Sequence, residues 1–376
     1  MNNNSNLLKN QANATIYEPP KWYQIFWINI ILFFKKINGY FNKHELLGFI
    51  IKRVVFGYLL VLFAVFIFFI VIRSCVSDIQ FAPLSKQGLS PAEVAEQTQM
   101  ELERYHLNGS VVGQAFHYLY NIIPFFPKVI DGKFTLIYFE KTCTSNFGAV
   151  AGADLGNIFA TAMPTSLAIG GIATIFAYLI GVPLGIFSAQ HKNKKGDVII
   201  TSFSNFLVVV PSLIVVLVVF VYSTMNGMSG TYELGSFWSR FWPVVAIVIM
   251  IFPAIVIRTR RFVFDEMSNE YVRFYQACGL SNSKIFYKYI FRVAGVKIIR
   301  DIPLDLIIAL FGASILTENQ WGIPGMGKYI NDAFSDNKKD IYFVMGYATL
   351  VATFTIFSKI IADIIAALLD KRLVLK

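Results

Sequence analysis

The stretch from Gly322 to Tyr329, GIPGMGKY, has the residue types that come nearest to nucleotide chemistry. Its glycines and Lys328 follow the phosphate-binding Walker A pattern, but Tyr329 stands where that loop needs a Ser or Thr hydroxyl to hold Mg²⁺. Pro324 also removes a backbone N–H from the phosphate cradle, and no strand pattern precedes the loop. We therefore expect no ATP site in this chain.

Other residues with reactive or metal-binding side chains are isolated in the sequence. His106 and His117 lack the companions and the spacing of a metal site, so we expect them to be surface residues. Cys75, Cys143 and Cys278 form neither a disulfide framework nor a metal pattern. Cys75 and Cys143 could both lie outside the cell and pair, although nothing in their spacing demands it. We find no nucleophile beside a base, and we expect a non-catalytic chain that binds no cofactor or metal.

The composition is that of an integral membrane protein. Of 376 residues, 56% are hydrophobic, 36 are Phe and only 15% are charged, which is too apolar for a soluble domain. The net charge of +10 is better explained by positive residues that flank membrane spans on the cytoplasmic side than by nucleic-acid binding. The first twenty residues are polar and Asn-rich, without the pattern of a cleaved secretory signal.

The hydropathy pattern predicts an all-α polytopic protein with six transmembrane helices. The predicted spans are 54–72, 158–189, 198–222 (kinked at Pro211), 241–257 (kinked at Pro253), 302–316 and 341–368. Basic clusters at the N-terminus, at 191–195, at 258–300 and at the C-terminus place both chain ends in the cytoplasm. The apolar stretch 22–34 is too short to cross, so it predicts a helix lying in the cytoplasmic interface.

These spans divide the chain into four parts. Residues 1–50 are a cytoplasmic or interfacial extension, and 51–73 form the first transmembrane helix. Residues 74–157 are an inserted extracellular region with candidate helices at 91–105 and 111–123. Residues 158–376 hold the other five spans and a basic cytoplasmic loop, 265–300. Small residues at Gly170, Gly171, Gly181 and Gly185 favour close helix packing in lipid.

Three aspartates lie near the ends of predicted spans, where charge is costly. Asp363 is one turn from Lys359, which favours a structural ion pair or an interface anchor. Asp301 and Asp305 open the fifth span, where they would cap the helix or hold a gate.

The loop 265–300 predicts two short helices joined at Gly279. Ser268 is the predicted N-cap, and Gly279 can take the left-handed conformation of a Schellman cap, in which Leu280 folds back on Tyr275. An apolar stripe at helical spacing is formed by Tyr271, Phe274, Tyr275 and Cys278. Two interpretations stay open: the stripe docks a cytosolic partner, or it packs on the body of the protein.

Residues 270–280 resemble the cytoplasmic coupling loop of ABC importer permeases, in the form used by oligopeptide and dipeptide permeases. Arg273, Ala277 and Gly279 fit that form, whereas Phe274, Tyr275 and Cys278 depart from it. The resemblance implies that this helix docks in a groove of an ATP-hydrolysing subunit, a groove roomy enough for bulky side chains. The implied coupling residues are Glu270, Tyr271, Arg273, Phe274, Tyr275, Ala277, Cys278, Gly279 and Leu280.

The near-Walker loop also has a counterpart in the peptide permeases. There a Glu precedes Gly-Ile-Pro-Gly-x-Gly, and the matching residues here are Glu318, Gly322, Ile323, Pro324, Gly325 and Gly327. This external loop is similar to that of B-type permeases, because the C-type partner carries Ser-Phe-Leu-Gly-Leu-Gly instead. The resemblance covers about 158–372, and weakly the chain from residue 52.

The resemblance implies the B-type transmembrane subunit of an ATP-driven oligopeptide importer in the bacterial plasma membrane. Its implied partners are a C-type permease, two ATP-binding subunits that hold ATP and Mg, an extracellular peptide-binding protein, the peptide substrate and the bilayer. Dipeptides, nickel or glutathione stay open as substrates. A secondary transporter, or a membrane-anchored protein that works through 74–157, is less consistent with the capped aromatic helix in the cytosol.

Overall fold

The computed structural model describes residues 45–81, 90–130, 132–143, 152–227, 230–233, 235–335 and 340–369. Contacts divide the chain into two compact units, Met1–Lys52 and Arg53–Lys376. In the first unit the described part is 45–52, the start of a long helix. The predicted interfacial helix at 22–34 lies outside the described residues.

The described chain is almost wholly helical. Its α-helices are α1 (Glu45–Cys75), α2 (Pro91–Arg104), α3 (Val111–Ile122), α4 (Leu155–Gln190), α5 (Lys195–Val209), α6 (Ser212–Met225), α7 (Trp238–Met267), α8 (Glu270–Ala277), α9 (Asn282–Ile285), α10 (Phe291–Ile308), α11 (Ser314–Trp321), α12 (Met326–Ser335) and α13 (Ile341–Leu369). A 3-10 turn covers Asp78–Phe81, and π-helical segments at Phe286–Ile290 and Ala309–Ala313 interrupt the helical run 282–321. A hairpin of β1 (Lys128–Ile130) and β2 (Lys133–Thr135) was not predicted.

Four helices, α1, α4, α7 and α13, are long and apolar enough to cross a membrane. They confirm the predicted spans at 54–72, 158–189, 241–257 and 341–368. A fifth predicted span, 198–222, is the pair α5 and α6, which is bent by 98° rather than gently kinked. Pro211 explains the break, because it holds Val210 in an extended conformation that ends α5. The pair is therefore either a broken span or a re-entrant segment.

The remaining predicted span, 302–316, lies in the helical run formed by α10, a π segment and α11. None of these pieces alone meets the length and hydropathy of a membrane-crossing helix. The π segment at Ala309–Ala313 is a local widening of the helix, of the kind often found at functional sites. The all-α polytopic class is confirmed, with four to five spans among the described residues rather than six.

The centre of the fold is the long contact between α4 and α7. Gly181 and Gly185 permit it, since a Cβ at Gly185 would lie 2.6 Å from the Cβ of Thr259. Gly170 lets α4 approach the backbone of Leu310 closely. A Cβ placed on Gly170 would lie 3.2 Å from the Cα and N atoms of Leu310. The predicted role of small residues is thus confirmed at these glycines.

The expected ion pair of Asp363 is confirmed, although with another partner, whereas the expected cap formed by Asp301 and Asp305 was wrong. Asp301 and Asp305 lie in the middle of α10, which begins at Phe291, so they do not cap it. Asp305 is buried and accepts hydrogen bonds from the Tyr178 hydroxyl, at 2.6 Å, and from Arg258. Asp363 pairs with Arg53 at 3.2 Å rather than with Lys359. These pairs link different helices, which sequence neighbours alone did not reveal.

In the region 74–157 the two candidate helices are confirmed as α2 and α3. Ser90 and Glu93 form a capping box at the start of α2, where Pro91 stands in the first turn. Cys75 is exposed and Cys143 is buried, and both are free thiols.

Candidate coupling surface and external loop

Helix α8, the candidate coupling helix, begins at Glu270 with Asn269 as its N-cap. The predicted N-cap, Ser268, instead ends α7, and its hydroxyl donates to the carbonyl of Phe264 at 3.0 Å. The sequence prediction was wrong because α7 continues well past the predicted end of its span, to Met267.

The predicted Schellman cap at the end of α8 is confirmed. Gly279 has φ +77°, and its N–H donates to the carbonyl of Gln276 at 2.9 Å. The N–H of Leu280 donates to the carbonyl of Tyr275 at 3.2 Å, and Leu280 belongs to the same apolar cluster as Tyr275. These two bonds and this apolar contact define the motif.

The predicted apolar stripe divides between two faces. Tyr271 and Tyr275 are half-buried, and the ring of Tyr275 stacks on that of Tyr289 with centroids 4.0 Å apart. Phe274 is 64% exposed and Cys278 is exposed. The packing interpretation is confirmed for the two tyrosines, whereas Phe274 and Cys278 face outward and stay candidates for docking.

The residues of α8 and its C-cap that face outward form a continuous surface, which we call the coupling face. Its members are Glu270, Arg273, Phe274, Ala277 and Cys278, all exposed. An exposed phenylalanine flanked by an arginine and a small alanine offers an apolar anchor, a charge and a place for close approach. Gly279 and Leu280 shape the end of the helix, while Tyr271 and Tyr275 hold it in place.

A buried carboxylate, Glu266, ties α8 to two long helices, and we call this cluster the Glu266 joint. Glu266 lies in the last turn of α7 and accepts hydrogen bonds from Asn269 at 2.9 Å and from the hydroxyl of Tyr271 at 3.0 Å. Lys297 of α10 contacts its other oxygen at 2.7 Å. Burial, together with the neighbouring Glu266 carboxylate, raises the pKa of Tyr271 to about 12.

Sequence reasoning missed the Glu266 joint. Thirty-one positions separate Glu266 from Lys297, so no local spacing connects them. The available signal was an acidic residue at the end of a basic helix, which is unfavourable beside the helix C-terminus unless a cation compensates it.

The loop that was predicted to be external is folded around Glu318, which is fully buried. Helix α11 ends at Gly322, with φ +65°, and the N–H of Ile323 donates to the Glu318 carbonyl at 2.8 Å. The Glu318 Oε2 atom accepts the N–H of Gly327 at 2.6 Å, and a Cβ on Gly325 would lie 2.3 Å from that oxygen. The structure thus brings together the predicted loop residues, with Pro324 in the turn between Ile323 and Gly325.

In the near-Walker loop, a backbone N–H is bonded to a side chain of the protein itself. The N–H that a phosphate would need at Gly327 is already bound to the carboxylate of Glu318. Gly322 to Gly327 therefore form a loop that surrounds the side chain of Glu318.

The class that fold and site define is a polytopic helical membrane protein in which a short capped helix, partly exposed, is fixed to two long helices. Residues 181–375 match the family model described as binding-protein-dependent transport system inner membrane component. This match covers more than half of the chain, which therefore belongs to that family.

Relatives with curated names agree with the family. The chain is 32% identical over 215 residues to the oligopeptide transport system permease protein AmiC of Streptococcus pneumoniae serotype 4, covering 56% of this chain and 43% of AmiC. It is 27% identical to OppB of Haemophilus influenzae, covering 78% of this chain and 89% of OppB. It is 23% identical to AppB of Bacillus subtilis, covering 87% and 99%. The chain thus matches less than half the length of AmiC.

Among solved structures, the methionine ABC transporter MetNI in an inward-facing conformation matches with a TM-score of 0.49 and 15% identity. That match covers 57% of this chain and 97% of the MetNI chain.

Proposed function

We propose that this chain is the B-type permease subunit of an ATP-driven importer of oligopeptides. The observation that carries the proposal is the coupling face, presented by a helix that Schellman geometry and the Glu266 joint hold in one position. Family membership supports it, as do relatives named as oligopeptide permeases that match over most of their length.

In this proposal the chain performs no bond chemistry. Two ATP-binding subunits hold ATP and Mg, a C-type permease completes the membrane pathway, and an extracellular binding protein delivers the peptide. The chain lies in the bacterial plasma membrane with both ends in the cytoplasm. Its substrate pathway works by alternating access, in which closure of the ATPase subunits opens the path outward.

The Glu266 joint is the proposed route by which motion reaches the membrane. A rigid-body shift of α8 is passed to α7 through Asn269 and Tyr271, and to α10 through Lys297. Since one carboxylate accepts all three hydrogen bonds, the short helix and the two long helices move together.

Co-purification of the assembled complex in mild detergent tests the docking surface. We expect ATPase subunits to accompany the wild-type chain and to be lost from Phe274→Asp, because a charge replaces the exposed apolar anchor. Phe134→Asp is the matched control, since Phe134 is 82% exposed in the β-hairpin of the predicted external region. The C-type permease should remain bound in all three samples.

Each other outcome has a distinct meaning. If no ATPase subunit accompanies the wild-type chain, the importer function fails. If Phe274→Asp retains them as Phe134→Asp does, the importer stands but the coupling face is elsewhere. Uptake of labelled tri- to hexapeptides, compared with dipeptides, glutathione and nickel, then tests the substrate class.

The Glu266→Gln variant tests transmission separately from docking. The amide can still accept one hydrogen bond but no longer attracts Lys297, so we expect ATPase subunits to stay bound while peptide uptake falls roughly tenfold. Uptake in vesicles, with ATP hydrolysis measured in parallel, checks this. Unchanged uptake would show that motion reaches α7 and α10 by another route.

A further inference from the structure

The region 74–157 contains a cavity that has no part in the proposed coupling. Its volume is about 390 Å³, within the range of small-molecule sites. The cavity lies between the end of α2, helix α3 and the segment after the β-hairpin. The polar groups on its wall are Arg104, His106, His117, Asn121, Glu140 and Lys141.

Two residues on this wall have left-handed backbones that side chains disfavour. His106 has φ +54° and Glu140 has φ +70°. His106 occupies the place that glycine normally takes in a Schellman cap: its N–H donates to Glu103 at 3.0 Å, and the N–H of Leu107 donates to Leu102 at 2.8 Å. A glycine there would cost less, and strained residues of this kind gather at ligand sites.

The acidic side chain on the cavity wall, Glu140, lies beside a histidine of the same wall, His117. Glu140 is buried, accepts a hydrogen bond from Asn121 and lies 3.3 Å from the Nε2 atom of His117. The hydrogen bond to Glu140 raises the pKa of His117, against the opposing effect of burial. When His117 is protonated, it balances the charge of Glu140.

Next to the His117–Glu140 pair, two cationic side chains stand on the same wall. Arg104 and Lys141 both line the cavity. The partner of Arg104 is Glu101 at 3.6 Å, and both side chains are largely exposed, so this ion pair is weak and readily exchanged. A guanidinium presents a planar pair of donors that matches a carboxylate.

We propose that this cavity binds the carboxylate end of a short peptide, with Arg104 as its main anion-binding group. The planar donor pair of the Arg104 guanidinium matches the two oxygens of a carboxylate, and the choice of a peptide as its carrier rests on the proposed function. No set of three His, Cys, Asp or Glu side chains in the described part of the chain is placed to hold a metal.

Binding at this site depends on pH through His117. The titratable and charged groups around it are Arg104, Tyr105 and His106 from the end of α2, with Tyr138, Glu140 and Lys141 from the segment opposite. The His106 and His117 rings are 4.8 Å apart. As pH rises through the pKa of His117, Glu140 loses its counter-charge and repels the ligand carboxylate. Affinity should therefore fall with rising pH.

The test measures binding of acetyl-trialanine to the full-length protein in lipid nanodiscs by titration calorimetry. The expected result is binding that weakens about tenfold in Arg104→Gln, the loss of one charge-assisted hydrogen-bonded contact. Arg240→Gln, an exposed arginine in the first turn of α7, is the matched control and should bind as the wild type does. His106→Gly keeps the left-handed backbone and reports on the imidazole alone.

The probe has its own controls. Acetyl-trialanine amide lacks the carboxylate and should not bind, and raising the pH from about 5 to about 9 should weaken binding of the acid in the wild type. The proposal is overturned if the amide binds equally, if Arg104→Gln equals Arg240→Gln, or if inorganic phosphate displaces the peptide with equal affinity. Retention of ATPase subunits by Arg104→Gln separates this site from the proposed transport function.

Discussion

Two glycine-capped turns, at Gly279 and at Gly322, are built from the same backbone motif but serve opposite purposes. In both, a left-handed glycine ends a helix of eight residues, and the next N–H bonds back to a carbonyl of the last turn. The helix before Gly279 turns Phe274 outward, whereas the helix before Gly322 turns Glu318 into the protein. Local sequence therefore sets the cap, and the surrounding helices decide what the cap is for.

The glycines of the two loops differ in the same way. A Cβ on Gly279 would meet nothing within 4 Å, so only its φ of +77° requires glycine. A Cβ on Gly327 would lie 2.4 Å from the Cα of Ile315, so there the close approach of backbones requires it. We therefore expect substitutions in the external loop to cost more stability than those in the coupling loop.

The largest effect is expected for Gly327→Ala. The new methyl group meets backbone that cannot move aside, and we expect a loss of about 3 kcal/mol, at the upper end of overpacking. The apparent melting temperature and the yield of folded protein in detergent measure it. Gly295→Ala is the control, because a Cβ there meets nothing within 4 Å. If Gly327→Ala is as stable as the control, the loop can shift enough to accommodate the methyl group.

Glu318→Ala should come next. It leaves the N–H of Gly327 buried without an acceptor, which costs about 2 kcal/mol. Glu318→Gln keeps one carbonyl acceptor and should cost less. The same thermal unfolding measurement separates the two variants, and equal losses would mean that charge rather than the hydrogen bond matters.

Gly279→Ala should cost about 1 kcal/mol, the penalty of a left-handed conformation for a residue with a Cβ. Gly279→Asn is the matched variant, because Asn tolerates this conformation better. Thermal unfolding of the two variants measures whether Gly279→Ala is less stable than Gly279→Asn. A loss as large as that of Gly327→Ala would erase the difference between the loops.

Phe274→Ala should change stability least, within about 0.5 kcal/mol, because its side chain is 64% exposed. The same variant should nevertheless lose ATPase subunits during co-purification. Tyr275→Ala is the contrasting variant, since it removes the stacked ring on Tyr289 and should lower the melting temperature measurably. A destabilised Phe274→Ala with ATPase still bound would reverse the assignment of faces.

Much of the fold was predictable because a membrane span requires a long run of apolar residues, which is visible in the sequence. The spans at 54–72, 158–189, 241–257 and 341–368 correspond to long apolar helices. A kink at Pro211 was predicted, but a bend as large as 98° was not predicted. The angle depends on the helices packed around the proline. The β-hairpin at Lys128–Thr135 was missed because its strands are only three residues long.

The sequence by itself determined the membrane class and the Schellman cap at Gly279, since these follow from composition and from residues close in the chain. The grouping of Glu318 with the loop from Gly322 to Gly327 came instead from the resemblance to peptide permeases. Only the tertiary structure decided that Tyr275 packs inward while Phe274 faces out, that Glu266 meets Lys297, and that His117 meets Glu140. The physical reason is that helical periodicity defines a stripe but not its partner, and buried charges find their counter-charges across the fold.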